Sequence, residues 1–163
     1  MTGTATGVMI GAVGVLAGVA GVLAVVRLRR RYVVVTVHGE SMLPTYRPGE
    51  RLVVRRTAAR APRAGQVVVL AEAGHPPPGG HGTPSWIVKR VAAAPGDPIP
   101  RDTVPALRGE PGTHVPAGRL VVLGDNPDRS HDSRHSGYAT TDRLLGVVLR
   151  KVEGRRPSGP GGL

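Results

Sequence analysis

The stretch "YVVVTVHGESMLPTYRPGERLVV", Tyr32 to Val54, holds two valine-rich runs on either side of a turn region. Val, Thr and Tyr suit a pleated backbone. Gly39, Pro44, Pro48 and Gly49 punctuate the middle, where no regular element can continue. The stretch reads as strand, turn, strand. The same grammar recurs in "GQVVVLAE" (65–72), "SWIVKRVAAA" (85–94), "RLVVLGD" (119–125) and "RLLGVVLRKV" (143–152). Short valine-rich strands between Gly/Pro turns predict an all-β domain. Between them, "GHPPPGGHGTP" (74–84) sustains neither helix nor sheet, 95–118 reads as turn-rich and irregular, and "NPDRSHDSRHSG" (126–137) as a polar loop. The end, "EGRRPSGPGGL" (153–163), has the composition of a disordered tail.

Composition narrows the chemistry. The 163 residues fit one domain plus appendages. With no Phe and only 2% aromatics, the core has to come from Val, Leu, Ile and Ala. The absence of cysteine excludes disulfides, thiolate catalysis and Cys-based zinc sites. The net charge of +11 suits either nucleic acid or an anionic membrane surface. Without aromatic residues interleaved among the basic ones for base stacking, no nucleic-acid partner is expected.

Residues 5–26, "ATGVMIGAVGVLAGVAGVLAVV", carry no charge. As a helix they would span roughly the ~30 Å hydrocarbon core of a bilayer. No basic residue precedes the run, and it ends in "RLRRR" rather than at a small-residue cleavage site, so an uncleaved anchor is expected instead of a removed leader. The predicted organisation is a tail (1–4), an anchor (5–26), a basic juxtamembrane segment (27–31), a strand-rich domain (32–152) and the disordered tail (153–163). Arg27, Arg29, Arg30 and Arg31 would place the following domain in the cytoplasm by the positive-inside rule.

Three stretches carry candidate chemistry. Ser41 stands between a glycine turn and a proline and raises the question of what takes its proton. His38, three residues upstream, has no evident group to orient its ring, as a Ser–His–Asp arrangement needs. His75, His81 and His114 fall in Gly/Pro-rich loops. His131 and His135 have a ligand spacing only on a helix, which their surroundings do not suggest, so no metal site is expected. Lys89 is one of two lysines in an arginine-rich chain. Strand alternation places Ile87, Lys89 and Val91 on one face, with Val88 and Arg90 on the other. A lysine so flanked is a candidate for burial, which lowers its pKa and makes it a usable base; the alternative is a side chain that snorkels at a sheet edge. Finally, 124–137 gathers Asp125, Ser130, Asp132 and Arg134, which on their own fit a polar surface loop.

Taken together in order, "GESMLPT", "VKRVAAAPGD" and "VLGDNPDRSHDSRHSGY" resemble the boxes of the type I signal peptidases, a family of Ser/Lys proteases. The resemblance covers Tyr32 to about Val152, and the upstream anchor fits it. It implies an all-β signal-peptidase-like catalytic domain with a single N-terminal transmembrane helix, and no cofactor. It further implies that Ser41 is the nucleophile and Lys89 the general base, with Ser130 orienting the lysine. Asp132 and Arg134 would form an ion pair holding the last loop, and Asp125 would shape the turn beside the base. The Ser41 N–H would serve the oxyanion. Some members add a serine hydroxyl two residues before the nucleophile; Gly39 stands there in this chain. Met42, Leu43 and Pro44 would contact substrate or membrane.

The implied substrates are exported preproteins with small residues before the cleavage site. The implied location is the plasma membrane, single-pass, with the catalytic domain on the extracytoplasmic side. That topology conflicts with the charge rule and is preferred because the substrates are translocated. The arginines beside the anchor would then bind anionic headgroups. The short interval between Lys89 and Gly124 predicts a small or absent accessory subdomain. Two other readings remain: a maturation protease of the same family with one dedicated substrate, and a non-catalytic basic membrane protein that binds anionic lipid.

Overall fold

The computed structural model describes residues 18, 20–56, 62–72 and 85–152. It divides into two compact units, Met1–Val33 and Val34–Leu163. In the first, residues 20–31 are helical and exposed. No helix among the described residues is long and apolar enough to cross a membrane. Most of the predicted anchor, the 1–4 tail, the 74–84 loop and the 153–163 tail lie outside the described residues.

The main element is a seven-stranded sheet in the order β1-β2-β7-β3-β4-β5-β6. The strands are β1 (Tyr32–Thr36), β2 (Arg51–Arg56), β3 (Val67–Ala71), β4 (Trp86–Ala93), β5 (Arg119–Leu123), β6 (Ala139–Thr140) and β7 (Leu144–Val152). The pairs β2–β7, β7–β3, β3–β4, β4–β5 and β5–β6 are all antiparallel. Strand β3 sits mid-sheet and all five of its residues are buried, which explains why "VVVLA" shows no polar alternation. The β2–β7 ladder slips register at Val53/Val54, and Gly146 of β7 lies so close to the Arg55 carbonyl that a Cβ there has no room.

The core lies on both faces of the sheet. One cluster gathers Val68, Leu70, Val91, Leu120, Val122 and Val147, with Ile87 and Ala139 against it. The other gathers Ala93, Ile99, Val104, Leu107, Val115 and Val121. Strand β5 serves both by simple alternation. Strand β4 serves both because its pairing with β5 slips between Val91 and Ala93, and such a bulge redirects side chains.

The 95–118 segment is more ordered than its proline content predicts. A 3₁₀ turn at Pro105–Leu107 and a bridge between Pro98 and His114 fold it back on itself. Ile99, Val104, Leu107 and Val115 are thereby buried against the sheet. It forms a small apolar excursion in the place where the sequence predicted a reduced accessory subdomain.

Candidate active site

Lys89 is 4% exposed, on the same face of β4 as Ile87 and Val91. Its ammonium donates to Ser130 Oγ at 2.8 Å. Ser130 Oγ in turn donates to Asp132 Oδ2 at 2.6 Å. That carboxylate also accepts from Gly124 N at 2.8 Å and from Arg134 Nη1 at 2.8 Å, while its Oδ1 accepts from Arg134 N at 3.1 Å. The result is a buried relay from a lysine through a hydroxyl to a fully enclosed, saturated carboxylate.

The electrostatics follow from this packing. Burial pushes the Lys89 ammonium below the usual lysine range, and the Arg134 charge adds to the shift, while Asp132 and Glu72 oppose it. For Asp132, burial acts upward, but its hydrogen bonds from Gly124, Ser130 and Arg134 outweigh that and hold the carboxyl below its usual value. Asp132 also caps a one-turn helix, Ser133–Ser136, by accepting from Arg134 N, and Gly137, at φ +70°, ends the turn. The 126–137 loop is therefore partly helical, contrary to the sequence reading. His131 and His135 stack with ring centroids 5.1 Å apart. No metal-holding cluster occurs among the described residues.

Ser41 lies in the turn after β1. Its carbonyl accepts from Asn126 N at 3.0 Å. Asn126 Nδ2 also reaches the Glu40 carbonyl at 3.2 Å, and Arg129 pairs with the Glu40 carboxylate at 3.7 Å. Gly124 is wedged between the two halves: a Cβ there would stand 2.6 Å from Ser41 O and collide with the Ser130 side chain. The loop that carries Ser41 is thus seated directly on the segment that carries Ser130, the partner of Lys89. We expect Gly124→Ala to separate these segments and lower any Ser41-dependent turnover by roughly 100-fold, the scale of a 1 Å misplacement. Circular dichroism of the variant distinguishes that from global unfolding.

A second tie was not foreseen. Arg90, on the face of β4 opposite Lys89, forks onto Asp125 with Nε to Oδ1 at 2.8 Å and Nη2 to Oδ2 at 2.6 Å. Thr45 Oγ1 donates to the same Asp125 Oδ2 at 2.5 Å, and Arg90 Nη1 reaches the Gly65 carbonyl at 2.9 Å. Asp125 therefore fastens the Ser41 turn to β4. The signal available in the sequence was the Lys-Arg doublet itself, since alternation sends the arginine to the other face.

The remaining predicted residues divide by exposure. Met42 is 1% exposed and belongs to the core, so it is not a bilayer contact. Leu43 is half-buried and Pro44 is exposed; the peptide bond between them is cis. Gly39 adopts φ +74°, a left-handed conformation that side-chain-bearing residues rarely take. A serine there would need a different backbone, which gives a local reason for glycine. His38 is exposed and has no side-chain hydrogen bond among the described residues.

Two comparisons place the chain in a family. The family model described as "Signal peptidase, peptidase S26" matches residues 9–105 and 100–152. The chain is 31% identical over 136 residues to the probable signal peptidase I-1 of Synechocystis sp., covering 69% of this chain and 67% of that protein. It is 29% identical over 135 residues to the signal peptidase I of Leptolyngbya laminosa, covering 69% of this chain and 64% of that protein. It thus spans about two thirds of the length of these relatives. The chain belongs to the peptidase S26 family of signal peptidases, and its all-β sheet fits the fold of that family.

Proposed function

We propose that the chain is a membrane-bound serine endopeptidase that removes N-terminal signal peptides from exported preproteins, with Ser41 and Lys89 as its catalytic dyad. The observation that carries this reading is the buried Lys89, held on Ser130 at 2.8 Å, in a site built against the Ser41 turn. The named relatives supply the substrate class. Lys89 in its neutral form takes the Ser41 proton as Oγ attacks the scissile carbonyl. The Ser41 N–H donates to the oxyanion. Lys89 then passes its proton to the departing amine, and water, activated by the same lysine, releases the acyl group. Ser130 and Asp132 position the amine, and Arg134 neutralises the buried carboxylate.

In this reading the 5–26 segment is a single-pass anchor in the plasma membrane, and Arg27, Arg29, Arg30 and Arg31 meet anionic headgroups. The catalytic domain faces the extracytoplasmic side, where translocated substrates emerge.

The test is incubation of the detergent-solubilised chain with a preprotein bearing an Ala-x-Ala site, beside Ser41→Ala. Cleavage after the second alanine by the wild type, and none by the variant, is the expected result. A folded wild type that leaves every such preprotein intact but processes one native partner would replace this reading with that of a dedicated maturation protease. Salt-sensitive binding to anionic vesicles with no hydrolysis of any substrate would replace it with a lipid-binding role.

A further inference from the structure

A cavity of about 420 Å³ opens beside the base. Leu70, Ile87, Val122 and Ala139 give it apolar walls, and Lys89 borders it. Its rim includes Arg143, whose guanidinium is fixed by two hydrogen bonds to the Ala71 carbonyl at 2.8 and 2.5 Å. The apolar walls come from strands β3 to β6, and Glu72, His131, Ser133, Ser136 and Tyr138 complete the lining. Ser41 does not line it.

Proton transfer tells which part of a substrate comes here. When the scissile C–N bond breaks, the acyl half stays bonded to Ser41 Oγ, and the nitrogen of the other half takes its proton from the Lys89 ammonium. That nitrogen has to come within hydrogen-bonding distance of Nζ. It belongs to the first residue of the mature chain, and that residue's side chain starts two bonds away. We propose that the cavity beside Lys89 receives this side chain, so that the enzyme selects on the leaving side of the scissile bond and favours a large apolar first residue in the mature protein.

Size and lining set the preference. A cavity of about 150 Å³ already holds a benzene ring, so this one admits a leucine or phenylalanine side chain that a glycine would leave unfilled. Burying such a side chain against Leu70, Ile87 and Val122 raises kcat/KM by roughly 10- to 100-fold over glycine. The inference rests on the peptidase reading and goes beyond it, because small residues before the bond say nothing about the residue after it.

The experiment uses the full chain in detergent and preproteins that differ only in the residue after an Ala-x-Ala site: Gly, Ala, Leu or Phe. The expected result is a kcat/KM for Leu and Phe at least 10-fold above Gly. Ser136 lines the cavity as well; in the cavity-filling variants Ala139→Leu and Ser136→Leu the Leu-to-Gly ratio of kcat/KM should fall below about 3-fold. Two fillings are used so that one failing to fold leaves the other. Cleavage with a flat wild-type series overturns the pocket and leaves the peptidase reading standing. A Leu advantage that both filled variants retain also overturns it. No cleavage of any substrate by folded wild type overturns both.

Discussion

Lys89→Met lowers kcat/KM for preprotein cleavage by roughly 10⁴-fold or more, and adding Ser41→Ala to it brings little further loss. Residues that act as one unit lose their effect together, so the two losses do not add. The residual rate comes from substrate binding and the oxyanion donor alone. In the wild type, catalysis needs the neutral amine, so kcat/KM falls as pH drops below the Lys89 pKa. Burial lowers that pKa, so the acid limb stands to the acid side of the ordinary lysine value of 10.5. Stability moves the opposite way to activity in the variant. A lysine with a lowered folded-state pKa binds its proton more weakly when folded than when unfolded. Its penalty is full below the folded pKa and vanishes as pH rises toward 10.5. Lys89→Met should therefore match or exceed the wild type in denaturant unfolding at neutral pH, with the difference shrinking at alkaline pH. Loss of activity with gain of stability separates a catalytic lysine from a structural one.

Asp132→Ala should be the most destabilising single change at the site. The Asp132 side chain of the wild type is fully enclosed and takes hydrogen bonds from Gly124 N, Ser130 Oγ and Arg134. Removing the carboxylate strands two buried donors, Gly124 N and Ser130 Oγ, takes the acceptor from the Arg134 guanidinium, and uncaps the 133–136 turn. Breaking one side of a buried charge pair costs about 3–5 kcal/mol. Denaturant titration reads this as a shift in midpoint. Because the folded-state pKa of Asp132 is lowered, its contribution is fully present above the ordinary carboxyl range. It is lost as pH falls through the folded value. The wild type and the variant should converge in stability only in strong acid. Asp132→Asn, which keeps the shape and loses the charge, should fall between the two.

The sheet was legible because valine runs bounded by Gly and Pro leave few other options. Strand β3 lies inside "GQVVVLAE" and β4 inside "SWIVKRVAAA", the stretches that read as strands. The alternation that put Ile87, Lys89 and Val91 on one face rests only on the two-residue period of a strand, and the structure has Lys89 enclosed on that face. The less legible parts have physical reasons. β6 is two residues long, too short to show a period. The turn at 133–136 is a single capped turn inside a loop composition, stabilised by Asp132 rather than by helix propensity. In 95–118 the apolar residues that become core are separated by prolines, so no periodic face announces them. The Arg90–Asp125–Thr45 tie joins three distant positions: strand alternation sends Arg90 to the face opposite Lys89, but nothing local names Asp125 and Thr45 as its partners. Met42 was read from its place beside Ser41, and its burial is a tertiary property that no local pattern announces.

The central claim is that Ser41 forms an acyl-enzyme with the signal-peptide half of the substrate while Lys89 carries the proton. It is tested most directly by acid-quenching the wild type during preprotein turnover and mapping the adduct by mass spectrometry. The expected adduct is the signal-peptide fragment esterified to Ser41, absent from Ser41→Ala and not accumulating in Lys89→Met. An adduct on any other residue, or undiminished turnover by Ser41→Ala, would contradict it.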